Sequence, residues 1–211
     1  LNEQGRSDHV ANTMSQPYYR FDGISDFIEI ADDAKLDFTT QITTCAWFRA
    51  FDDNLAQHAV LVGKWKESGN NREWQMNVSS PEKLVFITGD ISDGTYQGER
   101  AQDTAITNVS KWHHYVATYN AGTVVLYVNG VAVDSSEVAG THSTSLYNGS
   151  GDIQIGAYDD DTDEANGEIS GVQIWNTALT ATEIKELYSG ASVPYKYKGA
   201  NQTSAVAGWD F

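Results

Sequence analysis

Short β-rich runs recur roughly every 8–14 residues along this chain, each closed by a cluster of turn-forming residues. That rhythm restricts the fold more than any other feature, because βαβ units need far longer spacing between strands. Tyr18–Asp22 and Phe27–Ala31 flank Gly23-Ile24-Ser25, which predicts a hairpin. Ile42–Phe51, His58–Trp65, Arg72–Ser79 and Leu84–Thr88 follow as further strands. Trp74, Met76 and Val78 fall on one face by alternation, as do Leu84 and Phe86. Lys111–Asn120 and Thr123–Asn129 are joined by Asn120-Ala121-Gly122, and Asn129-Gly130 turns the chain into Val131–Val138. Asp152–Tyr158 and Glu168–Trp175 bracket an acidic loop.

One segment breaks the strand pattern. Thr180 and Glu183 have the spacing of a capping box, with Leu179 and Ile184 placed as a hydrophobic staple. Ile184, Leu187 and Tyr188 then share a face and Gly190 supplies an exit, so a short helix is predicted over Ala181–Ser189. The expected architecture is all-β: two antiparallel sheets with one short helix near the C-terminus, residues 18–211 forming one domain after a polar extension, 1–17.

Composition removes several classes of function. Thirteen Lys plus Arg stand against 29 Asp plus Glu, a formal net charge of −16. Phosphate backbones and anionic membranes would be repelled, so nucleic acid is not an expected partner. The single cysteine, Cys45, permits neither an intrachain disulfide nor a cysteine-rich zinc site. No apolar run reaches the roughly 18–20 residues that cross a bilayer as a helix, and no membrane insertion is expected. Leu1–Pro17 lacks the apolar centre of a signal peptide, which suggests a module cut from a longer protein. Sequons at Asn77, Asn108, Asn148 and Asn201 are read as incidental in an Asn-, Ser- and Thr-rich chain.

The stretch Trp112-His113-His114-Tyr115-Val116-Ala117-Thr118-Tyr119-Asn120, followed by Val124-Val125-Leu126-Tyr127-Val128-Asn129-Gly130, resembles the central hairpin of laminin-G-like domains. Phe21-Asp22-Gly23, Thr44-Cys45-Ala46-Trp47-Phe48, Gly167-Glu168-Ile169 and Ile174-Trp175-Asn176 are similar and occur in family order. The resemblance covers residues 18–189 and implies a concanavalin-like sandwich with a convex and a concave face. Ser170-Gly171 stands where the family usually carries Asp-Glu. Ala205–Phe211 resembles a strand that opens such domains, and is expected to close a sheet from the other end.

Catalysis finds no support in the residues. Laminarinase-type hydrolases on this fold carry Glu-x-Asp-x-x-Glu on one strand, a spacing that suits paired carboxyls about 5 Å apart. No such run exists here. Arg72-Glu73-Trp74, Gln154-Ile155-Gly156 and Tyr195–Gln202 follow the order of alginate-lyase motifs, but Gly156 stands where such a lyase needs His. His113 and His114 are adjacent in a strand, so they point to opposite faces. One is expected to be buried and hydrogen-bonded, the other exposed.

The most chemically loaded segment is Tyr158-Asp159-Asp160-Asp161-Thr162-Asp163-Glu164, with no Lys or Arg between Asn148 and Thr182. Calcium takes six to eight hard oxygens, and this loop supplies several; a solvated acidic tip is the alternative. In the pentraxin branch of the family calcium sits between an Asp-Asn pair and an acidic run after an Ile-x-Gly strand. The resemblance therefore implies a calcium site where Asp159, Asp160, Asp161 and Asp163 approach Asn70-Asn71. Trp47, Trp112 and Trp175 are expected in the core. Trp65 and Trp74 flank the Lys66–Arg72 loop, and with Asn70, Asn71, Arg72 and Tyr158 make a candidate sugar-binding surface.

These observations lead to a non-catalytic recognition module for a glycan or cell-surface partner, possible calcium dependence included, within a larger extracellular, cell-surface or virion-associated protein. The competing readings are a polysaccharide lyase or hydrolase, and a ligand-free structural domain.

Overall fold

A computed structural model describes residues 17–52, 58–67, 71–79, 82–89, 96–101, 108–158, 163–189 and 205–208. The strands are β1 (Tyr19–Asp22), β2 (Ile28–Ile30), β3 (Gln41–Ala50), β4 (Ala59–Lys66), β5 (Asn71–Ser79), β6 (Lys83–Gly89) and β7 (Tyr96–Ala101). They continue as β8 (His113–Asn120), β9 (Thr123–Val128), β10 (Val131–Ala132), β11 (Ser135–Ala139), β12 (Ile153–Ile155), β13 (Asn166–Trp175) and β14 (Ala205–Gly208). The helix α1 spans Ala181–Ser189, and a 3-10 turn occupies Ala34–Leu36. One sheet, here sheet A, runs β1-β13-β3-β8-β9-β10 with β14 also paired to β13. Sheet B runs β11-β7-β6-β5-β4-β12-β2. The registered pairs are antiparallel throughout.

Alternation builds the core. Trp74, Met76 and Val78 of β5 and Leu84 and Phe86 of β6 meet Ile42 and Phe48 of β3, Tyr115 of β8 and Ile169 of β13 between the sheets. Each such side chain contributes about 1.5–3 kcal/mol when taken fully out of water. A smaller apolar cluster lies on the other side of sheet A, where Leu179 and Ile184 pack on Cys45, Val116, Tyr127 and Trp175. The capping box forms as its spacing requires: Glu183 Oε2 accepts from Thr180 N at 2.8 Å, and Thr180 Oγ1 from Glu183 N at 3.4 Å. The helix thus covers only part of the outer face of sheet A. Trp112 and Trp175 are buried, whereas Trp47 is half-exposed, stacked 5.7 Å from Tyr188 of the helix and 4.9 Å from His114.

Three local expectations change. Gly23, at φ +69°, does not turn a hairpin, because β1 pairs with β13 in sheet A while β2 pairs with β12 in sheet B. Asp22 organises this crossing: its Oδ1 accepts the amides of Ile24 at 2.9 Å and Ser25 at 3.0 Å. Those amides, Ser25 foremost, hold its carboxyl below the usual range. Val131–Val138 divides into β10 and β11, which join different sheets. Tyr96–Ala101, which carries too little apolar alternation to be noticed, is a strand of sheet B. The expected turn at Ala121-Gly122 and the Asn129-Gly130 turn both form with positive φ. The C-terminal segment does close a sheet, with β14 paired to β13.

Candidate functional site

In β5 the residues alternating with Trp74, Met76 and Val78 are polar, and they lie on the side of sheet B away from the core. Register extends this polar line across four strands: Glu29 of β2 pairs with Gln154 of β12, Gln154 with Gly63 of β4, and Gly63 with Gln75 of β5. Asn77 Nδ2 donates to Gln75 Oε1 at 3.1 Å, and Gln154 Nε2 donates to Glu29 Oε2 at 3.3 Å. Those bonds engage three of the six amide nitrogen and oxygen atoms of Gln75, Asn77 and Gln154. Gln75 Nε2, Asn77 Oδ1 and Gln154 Oε1 are buried with no hydrogen-bond partner among the described residues. Gln75, Asn77 and Gln154 are 4, 1 and 5 % exposed, so solvation is not simply recovered. An unmet buried polar group costs about 1–3 kcal/mol, which makes three in one row a costly arrangement for structure alone. A Cβ on Gly63 would lie 3.1 Å from Gln75 Cγ, so glycine keeps the middle of the row free of side chain. This burial also leaves Asn77, in the first sequon, unsuited to glycosylation.

Beside this row stands an ionic hub. Lys64 is fully buried, and its Nζ reaches Asp37 Oδ1 at 2.7 Å, Asp32 Oδ1 at 2.8 Å and Glu73 Oε1 at 3.0 Å. Glu73 Oε1 also accepts the amide of Gly149 at 3.0 Å, and its Oε2 has no partner. Burial pulls the Lys64 ammonium down, but the hydrogen bonds it donates to Asp32, Asp37 and Glu73 outweigh that and hold the group above its ordinary value. Burial drives Glu73 the other way from a normal carboxylate, up to about 7, against the opposing pull of Lys64. The hub ties the Asp32–Asp37 link, β4, β5 and the Gly149 segment together.

The expected site residues are dispersed. Trp74 is fully buried, 6.5 Å from Phe38, and Trp65 is 6 % exposed with its Nε1 donating to Glu67 Oε1 at 3.0 Å. Neither offers a ring to a sugar: Trp74 belongs to the core between the sheets, and Trp65 is covered where it bonds Glu67. Asn71 Oδ1 accepts the amide of Ser150 at 3.3 Å, and Arg72 Nη2 pairs with Glu67. Tyr158 is half-buried just after β12. Asn70, Asp159, Asp160 and Asp161 lie outside the described residues.

Asp163 does not approach Asn71. Its carbonyl accepts from Val60 N at 3.1 Å, whereas Asn71 pairs with Lys66 at the far end of β4. Six strand residues separate Val60 from Lys66, about 20 Å at 3.3 Å per residue. The cause is direction: β12 runs antiparallel to β4, so the chain after Ile155 travels away from Lys66. Burial raises the Asp163 carboxyl above its ordinary value, with His58 opposing. Among the described residues no three His, Cys, Asp or Glu are grouped to hold a metal ion. In the hub, the carboxylates already surround an ammonium.

Other expectations are answered by geometry. His113 and His114 do face opposite sides, but the side-chain hydrogen bonds fall on the half-buried ring rather than on the buried one. His114 is buried with Nδ1 unpaired and its ring held down to about 3 by burial. Half-buried His113 instead contacts Asn108 O at 3.1 Å and Asn129 Nδ2 at 2.9 Å. Gly156, at φ +93°, would place a Cβ 2.4 Å from the Phe21 ring, so no His fits at the position where a lyase would need one.

Comparison with known proteins agrees with this architecture. Residues 22–185 match the sequence family described as the concanavalin A-like lectin/glucanases superfamily. The chain belongs to that superfamily. Within it, the chain is 26 % identical over 155 residues to the pentraxin-related protein PTX3 of Mus musculus and 25 % over 156 residues to that of Homo sapiens. These matches take in 68 % of this chain and 37 or 38 % of the relatives' lengths, which supports the pentraxin-related branch and no more than that part of the relatives. The fold is shared with the binding domain of botulinum neurotoxin serotype G, at TM-score 0.59 and 15 % identity, over 87 % of this chain and 49 % of that one. It is shared equally with the binding domain of paraclostridial mosquitocidal protein 1, at TM-score 0.59 and 17 % identity, over 83 % and 48 %.

Proposed function

We propose that this chain is a non-catalytic glycan-recognition module, part of a cell-surface or otherwise extracellular protein, whose ligand hydroxyls pair with Gln75, Asn77 and Gln154. The observation that carries this reading is the row of unmatched amide atoms on one outward sheet face. Sugar hydroxyls donate and accept at once, so they can satisfy both a spare amide N–H and a spare amide oxygen. Membership in a superfamily that includes lectins, and a fold shared with two toxin binding domains, point the same way. The one carboxyl raised to about 7, Glu73, is fully buried and engaged by Lys64 and the Gly149 amide, which suits it poorly to attack a substrate. Because the row is shielded, ligand access is a step of its own, and slow association is expected.

A glycan array followed by calorimetry, with and without calcium, tests the reading. Gln75→Ala and Gln154→Ala should each weaken the selected glycan by about tenfold, the equivalent of one lost hydrogen bond of about 1.4 kcal/mol. Unchanged affinity in both variants overturns the assignment of the row, and release of reducing ends or unsaturated uronate overturns the non-catalytic reading. An effect of calcium removal on affinity would return Asp159–Asp161 to the argument.

A further inference from the structure

The outer face of sheet A carries a second, unlike surface where α1 does not cover it. Register sets Arg20 of β1, Glu168 of β13 and Arg49 of β3 side by side across three adjacent strands. Arg49 donates to Glu168 Oε2 through Nε at 2.9 Å and through Nη2, and Arg20 Nε stands 3.8 Å from Glu168 Oε1. The carboxylate is buried; the Arg20 and Arg49 side chains are 69 % and 37 % exposed. Two guanidinia therefore share one carboxylate, an excess of one positive charge along this line, with Asp22 and Asp52 flanking Asn166 in the next row.

Aromatic rings fix both guanidinia in place. Arg20 Cζ lies 4.8 Å from the Phe51 ring centroid, and Arg49 Cζ lies 5.5 Å from that of Trp112. Tyr18, 46 % exposed, sits 5.7 Å from Trp112, and half-exposed Trp47 lies two residues from Arg49 along β3. Stacking orients a guanidinium without using its N–H donors, which remain directed along its edge. Arg20 uses none of its donors within hydrogen-bond distance of Glu168.

We propose that this surface binds a carboxylated saccharide, the sugar carboxylate pairing with the Arg20 fork and a ring lying against Tyr18 or Trp47. A planar carboxylate matches the guanidinium fork, and an apolar sugar face matches an exposed aromatic ring. Charge complementarity favours an anionic ligand at the Arg20 guanidinium, which is 69 % exposed. The surface lies on the sheet opposite the amide row and stands or falls separately from it.

The test is calorimetric titration of the whole chain with galacturonic-acid oligomers and with the same oligomers after reduction of their carboxyls to alcohols. The native chain should bind the acidic oligomer at least about tenfold tighter than the neutral one at low salt, with the preference shrinking as salt screens it. Arg20→Gln should remove that preference while leaving the melting temperature unchanged, and Arg20→Lys should restore only part of it, because an ammonium has no fork. Gln75→Ala should leave the preference intact, separating this surface from the row on sheet B. Equal binding of acidic and neutral oligomers overturns the proposal, as does an unaltered preference in Arg20→Gln. Equal or tighter binding of a polyglutamate peptide would overturn it in favour of an acidic protein partner.

Discussion

The two ionic clusters of this sandwich are inverses. At one end of sheet B a single ammonium, Lys64, is surrounded by Asp32, Asp37 and Glu73, and both Lys64 and Glu73 are fully buried. On the outer face of sheet A a single buried carboxylate, Glu168, is shared by Arg49 and Arg20, both of which reach solvent. The first cluster centres its charge on a fully buried ammonium and a fully buried Glu73, with Asp32 and Asp37 only partly exposed; the second presents its two guanidinia to solvent, where a ligand can reach them. Burial is what separates them. A buried cluster is committed to holding segments together, whereas an exposed one retains donors for something outside the chain.

Removing each central ion is the strongest way to break that contrast. Lys64→Met should lower stability by about 3–5 kcal/mol, because three carboxylates lose the only cation they share. Chemical denaturation would report it as a lower midpoint with an unchanged slope. Glu168→Gln should have a smaller effect, about 1.5–3 kcal/mol, since Arg49 loses a charged hydrogen bond but can hydrate instead. If the two losses were equal, burial would not be the distinguishing variable.

A third measurement sharpens the comparison through pH. Burial places the folded Glu73 carboxyl at about 7, above its ordinary 4.5. A carboxyl raised on folding binds more protons in the native state, so its contribution is greatest below about 4.5 and fades as pH rises to about 7. Melting temperature should therefore fall between pH 5 and 8, and Glu73→Gln should flatten that fall by a few degrees. A Glu73→Gln profile as steep as the native one would show that another group controls the decline.

The sequence disclosed what is local. Alternation at Trp74, Met76 and Val78 marked the core face of β5, and Thr180 with Glu183 marked the helix start. It did not disclose which sheet a strand joins: the Gly23 turn has hairpin chemistry, yet it carries the chain from β1 to a different sheet. Trp65 beside a polar loop looked like a surface because its burial depends on neighbours remote in the chain. Asp163 and Asn71 looked like partners until antiparallel pairing of β12 with β4 sent them apart. The amide row had a partial signal, since polar residues alternating with Trp74, Met76 and Val78 are visible in the sequence. The Arg20–Glu168–Arg49 line had none, because it exists only through the register of β13 with β1 and β3, whose arginines lie more than a hundred positions before Glu168.

The flank of β13 opposite β3 holds a further consequence. Ala205 pairs with Trp175 and Gly208 with Gln173, after which Tyr19 takes up position against Ile169 and Asp22 against Asn166. Followed down β13, residues 205–208 and then 19–22 form one edge track, interrupted over three positions of β13, a gap of about 13 Å across four residue steps. The order of strands in space is thus cyclic. A short bridge from Gly208 to Tyr19 would close the chain into a ring without moving a strand, and the sandwich could then be opened at any exposed turn.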